Sequence, residues 1–501
     1  MKKLLVILLA ACSLASCKKF LEEYSPSDVT PKSTADFNEI LFSDGYPDAK
    51  KELHPWLMYM EDDIQFYVSP ANMIDAPTYY AAIRGAYEWQ SVQGRDGSGA
   101  SPEYFNAWGN YYKQLLGVNV VLQNVDRSTG DPALKDQVKG EAYALRAYYH
   151  FKLVNIYARP YNDSTTTPGK LAGIPLRTNG DLSDQYMTRN TVKEVYDQIT
   201  SDLDSAILLL ERSRKTDDVF RISHVAAHLL ASRVYLYMED WQRCIQHADA
   251  VLHQHPQLMN YMDWNGVTPD FDNSFVGPEN VESVWCYGSA REYYPMNEAG
   301  FGMCFEVSRE LVGCFEDNDL RKANVIFEVP VELKPYIGLD YFQNKRMYPS
   351  GANEYLTINN SWRSSEAYLN RAEAYIQLYR TKGDAAAASE ALKSLNTLRA
   401  QRFAPADFQA WTLKPADILL QMCRDERRRE LYFEEGHRWF DLKRYGMPSI
   451  RHVYHPDLST TQTFTLQKRD AQYVVPIPEI VLTRNPALVR DPLIPGTRQP
   501  D

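Results

Sequence analysis

Residues 424–446 read R-D-E-R-R-R-E-L-Y-F-E-E-G-H-R-W-F-D-L-K-R-Y-G. Within them Glu434, Glu435, His437 and Asp441 are of the types that share protons in general acid–base catalysis when they meet in space. The same residues have a plainer use. Leu431, Phe433, Trp439, Phe440 and Leu442 are too apolar to stay in water, so the charges woven among them end half buried and need partners. A helix over 419–433 would align Glu426, Glu430 and Glu434 on one face. Arg399 and Arg402, from an earlier helix, are the expected counter-ions. We read the stretch as scaffold and assign no catalytic residue.

Other chemistry has no foothold in the sequence. There is no H-E-x-x-H, G-x-S-x-G or P-loop, and Gly300-Phe301-Gly302 lacks the third glycine of a dinucleotide loop. Beyond Cys12 and Cys17 the cysteines are Cys244, Cys286, Cys304, Cys314 and Cys423, with no C-x-x-C pair, which suits buried small hydrophobes. One bridge, Cys304 to Cys314, stays open. Asp270, Asp272 and Asn273 could hold calcium but lack the glycine and closing glutamate of an EF-hand. No metal and no cofactor are expected.

Lys2 and Lys3, an apolar run over 4–15 and small residues before Cys17 make a secretory leader. Its apolar run is well short of the roughly 20 residues a spanning helix needs. Losing Lys2 and Lys3 with the leader takes the formal charge from -11 to -13. Such a surface repels nucleic acid and anionic headgroups.

Apolar periodicity lays out the body. Helices are expected from Asn106, from Asp131-Pro132 through the stripe Val138, Ala142, Leu145, Tyr149, Leu153 and Ile156, and over Val192 to Leu210 with Thr191 as N-cap. Two helix pairs look like tetratricopeptide repeats. One spans 226–256 and turns at Glu239-Asp240; the other spans 363–402 and turns at Lys382-Gly383-Asp384. Small residues such as Ala372, Ala374, Ala388 and Ala391 suit close helix crossings. The fold class is mainly α: a tetratricopeptide-like helical-repeat scaffold with an irregular insert. Residues 56–101 and 257–360 carry no repeat and hold many of the 34 Tyr and 9 Trp. Residues 279–287 alternate like a strand with one face in the core.

These stretches resemble the SusD/RagB family in content and in order. The quoted residues are Cys17-Lys18-Lys19-Phe20-Leu21-Glu22 and Arg146-Ala147 ahead of Tyr149. They continue with Arg363, Glu366, Leu369 and Ala372-Glu373-Ala374, then Glu426-Arg427-Arg428 with Glu435 to Arg444, and end with Tyr473 to Pro478 before Asn485-Pro486. The resemblance implies an outer-membrane lipoprotein acylated at Cys17, which is favoured over Cys12. It also implies a binding protein rather than an enzyme, one that passes an oligosaccharide to a SusC-like TonB-dependent transporter. RagB-like members imply a peptide ligand instead, and a glycosidase built on two carboxylates is the enzymatic alternative.

The expected organisation is a leader at 1–16, a lipid tether and loop-rich segment at 17–100, scaffold at 101–256, ligand-binding insert at 257–361, scaffold at 362–446, and a tail at 447–501 packed on the scaffold, its ending from Tyr473 to Pro478 expected as a short strand and loop. Family members use such inserts to bind ligand. Rings with an apolar face and a polar edge suit sugars, so the expected ligand-lining residues are Tyr79, Tyr80, Trp89, Tyr287, Arg291, Tyr293 and Tyr294.

Overall fold

The computed structural model describes residues 31–47, 53–70, 73, 76–92, 106–181, 185–213, 218–263, 277–288, 304–324, 326–337, 340–343, 345 and 360–501. The Asp131 carboxylate accepts the Ala133 N–H and Pro132 takes the first turn, so the long helix Pro132–Tyr157 starts where the sequence breaks. This helix is buried on nearly every side from Gln137 onward, wider than the expected apolar stripe. Its charged residues are therefore paired inside: Glu141 with Arg221 at 2.8 Å, Arg146 with Asp202 at 2.6 Å, and Lys152 with Glu435 at 3.0 Å.

Around it the scaffold is assembled in chain order. Short helix α1 (Thr34–Ile40) and α2 (Ala76–Tyr87) precede α3 (Ala107–Asn124), the long α4 (Pro132–Tyr157), α5 (Val192–Arg212), α6 (His224–Tyr237) and α7 (Trp241–Gln254). Thr191 and Glu194 close a capping box on α5, as expected. Helices α8 (Arg309–Cys314), α9 (Leu320–Asn324) and α10 (Lys334–Ile337) are short. Then come α11 (Ser364–Lys382), α12 (Ala385–Ala400), α13 (Ala416–Leu431), α14 (His437–Arg444) and α15 (Glu479–Arg484). Each scaffold helix packs on the next: α3 on α4, α4 on α5, α5 on α6, α6 on α7. Helix α7 packs directly on α11, although about a hundred residues separate them in the chain. Helices α11, α12 and α13 share a core of their own, in which Ala372 and Ala391 sit among Leu369, Leu395, Leu398 and Leu419. No helix among the described residues is long and apolar enough to cross a membrane.

The strands are short and paired antiparallel in twos: β1 (Ile64–Phe66) with β3 (Phe305–Val307), β2 (Ser283–Tyr287) with β6 (Asn360–Arg363), β4 (Ile326–Glu328) with β5 (Tyr341–Gln343), and β7 (Ile450–Tyr454) with β8 (Gln462–Leu466). Three expectations are corrected. Residues 56–92 are not merely loop: a 3-10 turn over Pro55–Met60, β1 and α2 are regular and bury Trp56, Leu57, Tyr59 and Met60. Both faces of β2 are buried, where one core face was expected: α6 packs on it, and Tyr46 and Tyr148 meet Trp285 edge-on. The strand of the tail is the hairpin β7–β8; residues 473–478 form no ladder and attach through the Val475 N–H to the Ile156 carbonyl. Cys304 and Cys314 are both free thiols, which closes the bridge left open.

Candidate ligand-binding face

The two irregular stretches that the sequence puts into one site are physically joined. β1 from the first pairs with β3 from the second, Ile64 opposite Val307 and Phe66 opposite Phe305. Behind this seam stands a block of rings. Phe66 meets Tyr80, Phe305 and Tyr454 edge-on at 5.1–5.4 Å, and Tyr80 lies flat on Tyr454 at 3.7 Å with 4° between planes. Edge-on and stacked pairs of this kind fix ring orientation as well as burying area.

Two expected ligand-lining rings belong to that block. Tyr80 is buried and its hydroxyl donates to Glu88 at 2.6 Å; burial and the Glu88 charge push its phenol up. Trp89 is buried, donates its indole N–H to the Met60 carbonyl at 2.9 Å, and stacks on His452 at 4.2 Å. Tyr287 is buried as well. It stacks on Trp285 at 4.3 Å, and its hydroxyl lies 2.5 Å from that of Tyr148, which donates to Glu435 at 3.0 Å. These three rings are therefore placed in the core rather than on a ligand-facing surface, because each has both a stacking neighbour and a polar partner inside. Tyr79 lies in α2 beside Tyr80. Arg291, Tyr293 and Tyr294 lie outside the described residues, as do Asp270, Asp272, Asn273 and Cys17.

The rim of the block is where solvent meets it. Half-buried Tyr454 caps Tyr80, and Arg84 reaches back to Glu88 at 2.9 Å with most of its side chain exposed. Across the β1–β3 seam, the buried Glu306 carboxylate accepts from Gln65 at 2.6 Å and from the N–H groups of Asp340 and Tyr341 at 2.7 and 3.0 Å. It thereby holds up an outer layer in which Arg309 pairs with Asp340 and lies 5.5 Å from the Tyr341 ring centre, while Tyr67 donates to Asp340 at 3.4 Å. Tyr67, Arg84, Arg309, Tyr341 and Tyr454 were not among the expected ligand-lining residues. Tyr67, Arg84, Arg309 and Tyr341 all stood in the two stretches flagged for their rings; Tyr454 comes from the tail, and nothing local marks it.

The acidic cluster that could have been catalytic is saturated by cations. Glu434 takes Arg363 at 2.6 Å and Lys345 at 2.5 Å, Glu435 takes Arg233 at 2.9 Å and Lys152, and Asp441 takes Arg444 at 2.7 Å and Arg427 at 2.8 Å. Burial works to raise the Asp441 carboxyl, but Arg427 and Arg444 override it and keep the group below the usual range. His437 is buried, and that burial with Arg233 and Arg427 nearby drives its imidazole well down, so it is neutral. A group fixed as an ion by two arginines has little proton to lend.

Comparison with known proteins agrees with this architecture. The family model described as "Starch-binding associating with outer membrane" matches residues 19–236, and the SusD family model matches 339–493. The chain belongs to the SusD/RagB family. A SusD-like protein of Formosa agariphila is 23% identical over 399 residues, covering 68% of this chain and 70% of that one. Among solved structures, a SusD superfamily protein of Bacteroides thetaiotaomicron superposes with a TM-score of 0.70 at 21% identity, covering 92% of this chain and 100% of the other. A SusD-like carbohydrate binding protein of Bacteroides vulgatus gives 0.64 at 21% identity, with 91% and 97% covered. For this SusD/RagB protein the two models leave 237–338 unmatched, a span that takes in much of the expected insert.

Proposed function

We propose that this protein is a surface-exposed outer-membrane lipoprotein, anchored through acylated Cys17. In this reading it binds an oligosaccharide and hands it to a SusC-like TonB-dependent transporter without cutting it. The observation that carries the binding reading is the half-buried Tyr454 ring stacked on Tyr80 at the rim of the β1–β3 seam, with the Arg84 cation beside it. A ring that is pinned on one side by a parallel neighbour pays little ordering cost when a pyranose lies on the other. Arg291, Tyr293 and Tyr294 are proposed as further ligand-contacting residues, and Tyr80 and Trp89 as buried rings that brace the Tyr454 platform. Two acyl chains or more make the anchor stable, since one alone holds only marginally.

Calorimetry with neutral oligosaccharides tests this. A combined Arg291→Ala, Tyr293→Ala, Tyr294→Ala variant, and separately Tyr454→Ala, should each weaken binding by tenfold or more, with unchanged far-UV circular dichroism. Release of shorter sugars by the purified protein, or binding of peptides with no glycan affinity, would overturn the reading.

A further inference from the structure

A pocket apart from the seam opens between α3, irregular chain at Pro175, Arg177 and Gln185 to Met187, and α15. Its volume is about 540 Å³, within the roughly 300–1,000 Å³ of small-molecule sites. One wall is aromatic. Trp108 and Tyr112 lie tilted at 5.0 Å; Tyr157 backs Trp108 edge-on at 5.0 Å, and the Tyr112 hydroxyl is anchored on the Pro175 carbonyl at 2.6 Å. Tyr186, 62% exposed, stands at the mouth.

The polar part of the lining is cation, amide and tyrosine hydroxyl. Arg177 and Arg484 both line it, with Asn485 and Gln185, and no carboxylate does so among the described residues. That is a local reversal in a chain with 65 acidic against 54 basic side chains. Acids of the neighbouring segments have other partners: Asp491 pairs with Arg189 at 2.6 Å, Glu479 with Arg490, and the Asp181 carboxylate accepts from Gln123 at 2.8 Å. Arg177 is held by the carbonyls of Asn179 and Asp181 through Nε and one terminal nitrogen, while the other terminal nitrogen faces only the Met187 sulfur at 4.0 Å. Arg484 is exposed on α15 and has no ion pair among the described residues. Trp108 is 94% buried, and no acceptor is bonded to its indole N–H among the described residues.

We infer that this pocket is a second binding site for an acidic sugar, a pyranose bearing a carboxylate or sulfate ester whose ring lies on Tyr186, beside the small exposed part of Trp108, and whose anionic group meets Arg177 and Arg484. Neutral sugars present hydroxyls that need acceptors as well as donors, and this lining supplies chiefly donors. A planar guanidinium matches the two oxygens of a carboxylate or sulfate, and the aromatic wall takes the apolar ring face. The site does not depend on the face at the β1–β3 seam.

The test is titration of the full mature protein with a galacturonic acid trimer and with the same trimer methyl-esterified, following heat and the indole ¹H–¹⁵N resonance of Trp108. The acid form should bind and move that resonance. The ester should bind roughly tenfold more weakly, as should the acid form to Arg484→Gln or to Tyr186→Ala. Both substitutions are on exposed side chains and leave the fold alone. An unmoved Trp108 resonance at millimolar trimer, or equal affinity for acid and ester, overturns the inference. The seam reading fails separately, on the Tyr454→Ala result with neutral sugars.

Discussion

Arg363 is the residue on which the ionic core turns. It is fully buried and reaches Glu282 at 2.6 Å, Glu430 at 2.8 Å and Glu434 at 2.6 Å. Burial works to raise the Glu430 carboxyl, and Arg402 and Arg363 overcome it and hold the group well below the usual range. Arg363→Met would leave three buried carboxylates sharing fewer cations, and removing one partner of a buried pair costs about 3–5 kcal/mol. Urea unfolding of the variant should show an unfolding free energy lowered by that amount; a loss under about 1 kcal/mol would mean the network is wet. Lys443 makes the opposite case. Burial, with Arg159 nearby, pulls its ammonium down to about 7, and the amine donates to the carbonyls of Asn155 and Ala158. A lysine whose folded value lies below its unfolded one, near 10.4, binds fewer protons when folded, so its contribution to stability grows as pH rises between the two. The stability gap between wild type and Lys443→Met should therefore move by about 2 kcal/mol in favour of wild type from pH 7 to pH 9. Equilibrium unfolding at the two pH values checks it, and a gap that does not move refutes it. The sequence names Arg399 and Arg402 as partners of the ladder, and both are there, at 3.2 Å from Glu426 and 2.8 Å from Glu430. Arg321, Arg363, Lys345 and Glu282 could not be named, because the chain returns to α13 from the insert by a path that no local pattern encodes.

At the scale of elements the start signals were legible and one turn was not. Asp131, Thr191, Asp240 and Asp384 all cap the helices that begin after them, since a side-chain oxygen next to an apolar period is a local device. The expected helix over 419–433 stops instead at Leu431. From there Phe433, Glu435 and Gly436 all take left-handed backbone, with φ of 56°, 56° and 70°. For two non-glycine residues that conformation costs roughly 1–2 kcal/mol each. The ion pairs of Glu434 and Glu435 offset it, and in return the turn points both carboxylates inward. Gly436 is where the chain has no slack: a Cβ there would meet Leu57 Cδ2 at 2.6 Å. Gly383, ending α11 at φ 67°, faces nothing within 4 Å. Gly436→Ala should thus cost about 2–3 kcal/mol and Gly383→Ala about 1, the difference being the clash. Denaturation of the two variants side by side decides it, and equal losses would mean that Leu57 yields freely.

Taken whole, the molecule is an acidic shell around an ion-paired core, and the two respond to salt in opposite ways. The irregular stretches were legible as departures from helical period, and their rings were noticed. Which rings face out was not, because β1–β3 and the tail hairpin β7–β8 cover Tyr80 and Trp89 through contacts spanning hundreds of residues. The same long-range closure seals Arg233, Arg321, Arg363 and Arg402 from solvent. Salt shortens the Debye length from about 10 Å at 0.1 M to about 3 Å at 1 M and weakens exposed pairs, while pairs inside the fold are screened much less. The net charge of -11 repels itself across the surface, and salt relieves that repulsion. Melting in about 1 M NaCl should therefore fall within about 3 °C of, or above, the temperature seen at about 0.05 M. A fall well beyond that would show that water and ions reach the arginines between α11 and α13, and the core would then have to be held by its apolar packing alone.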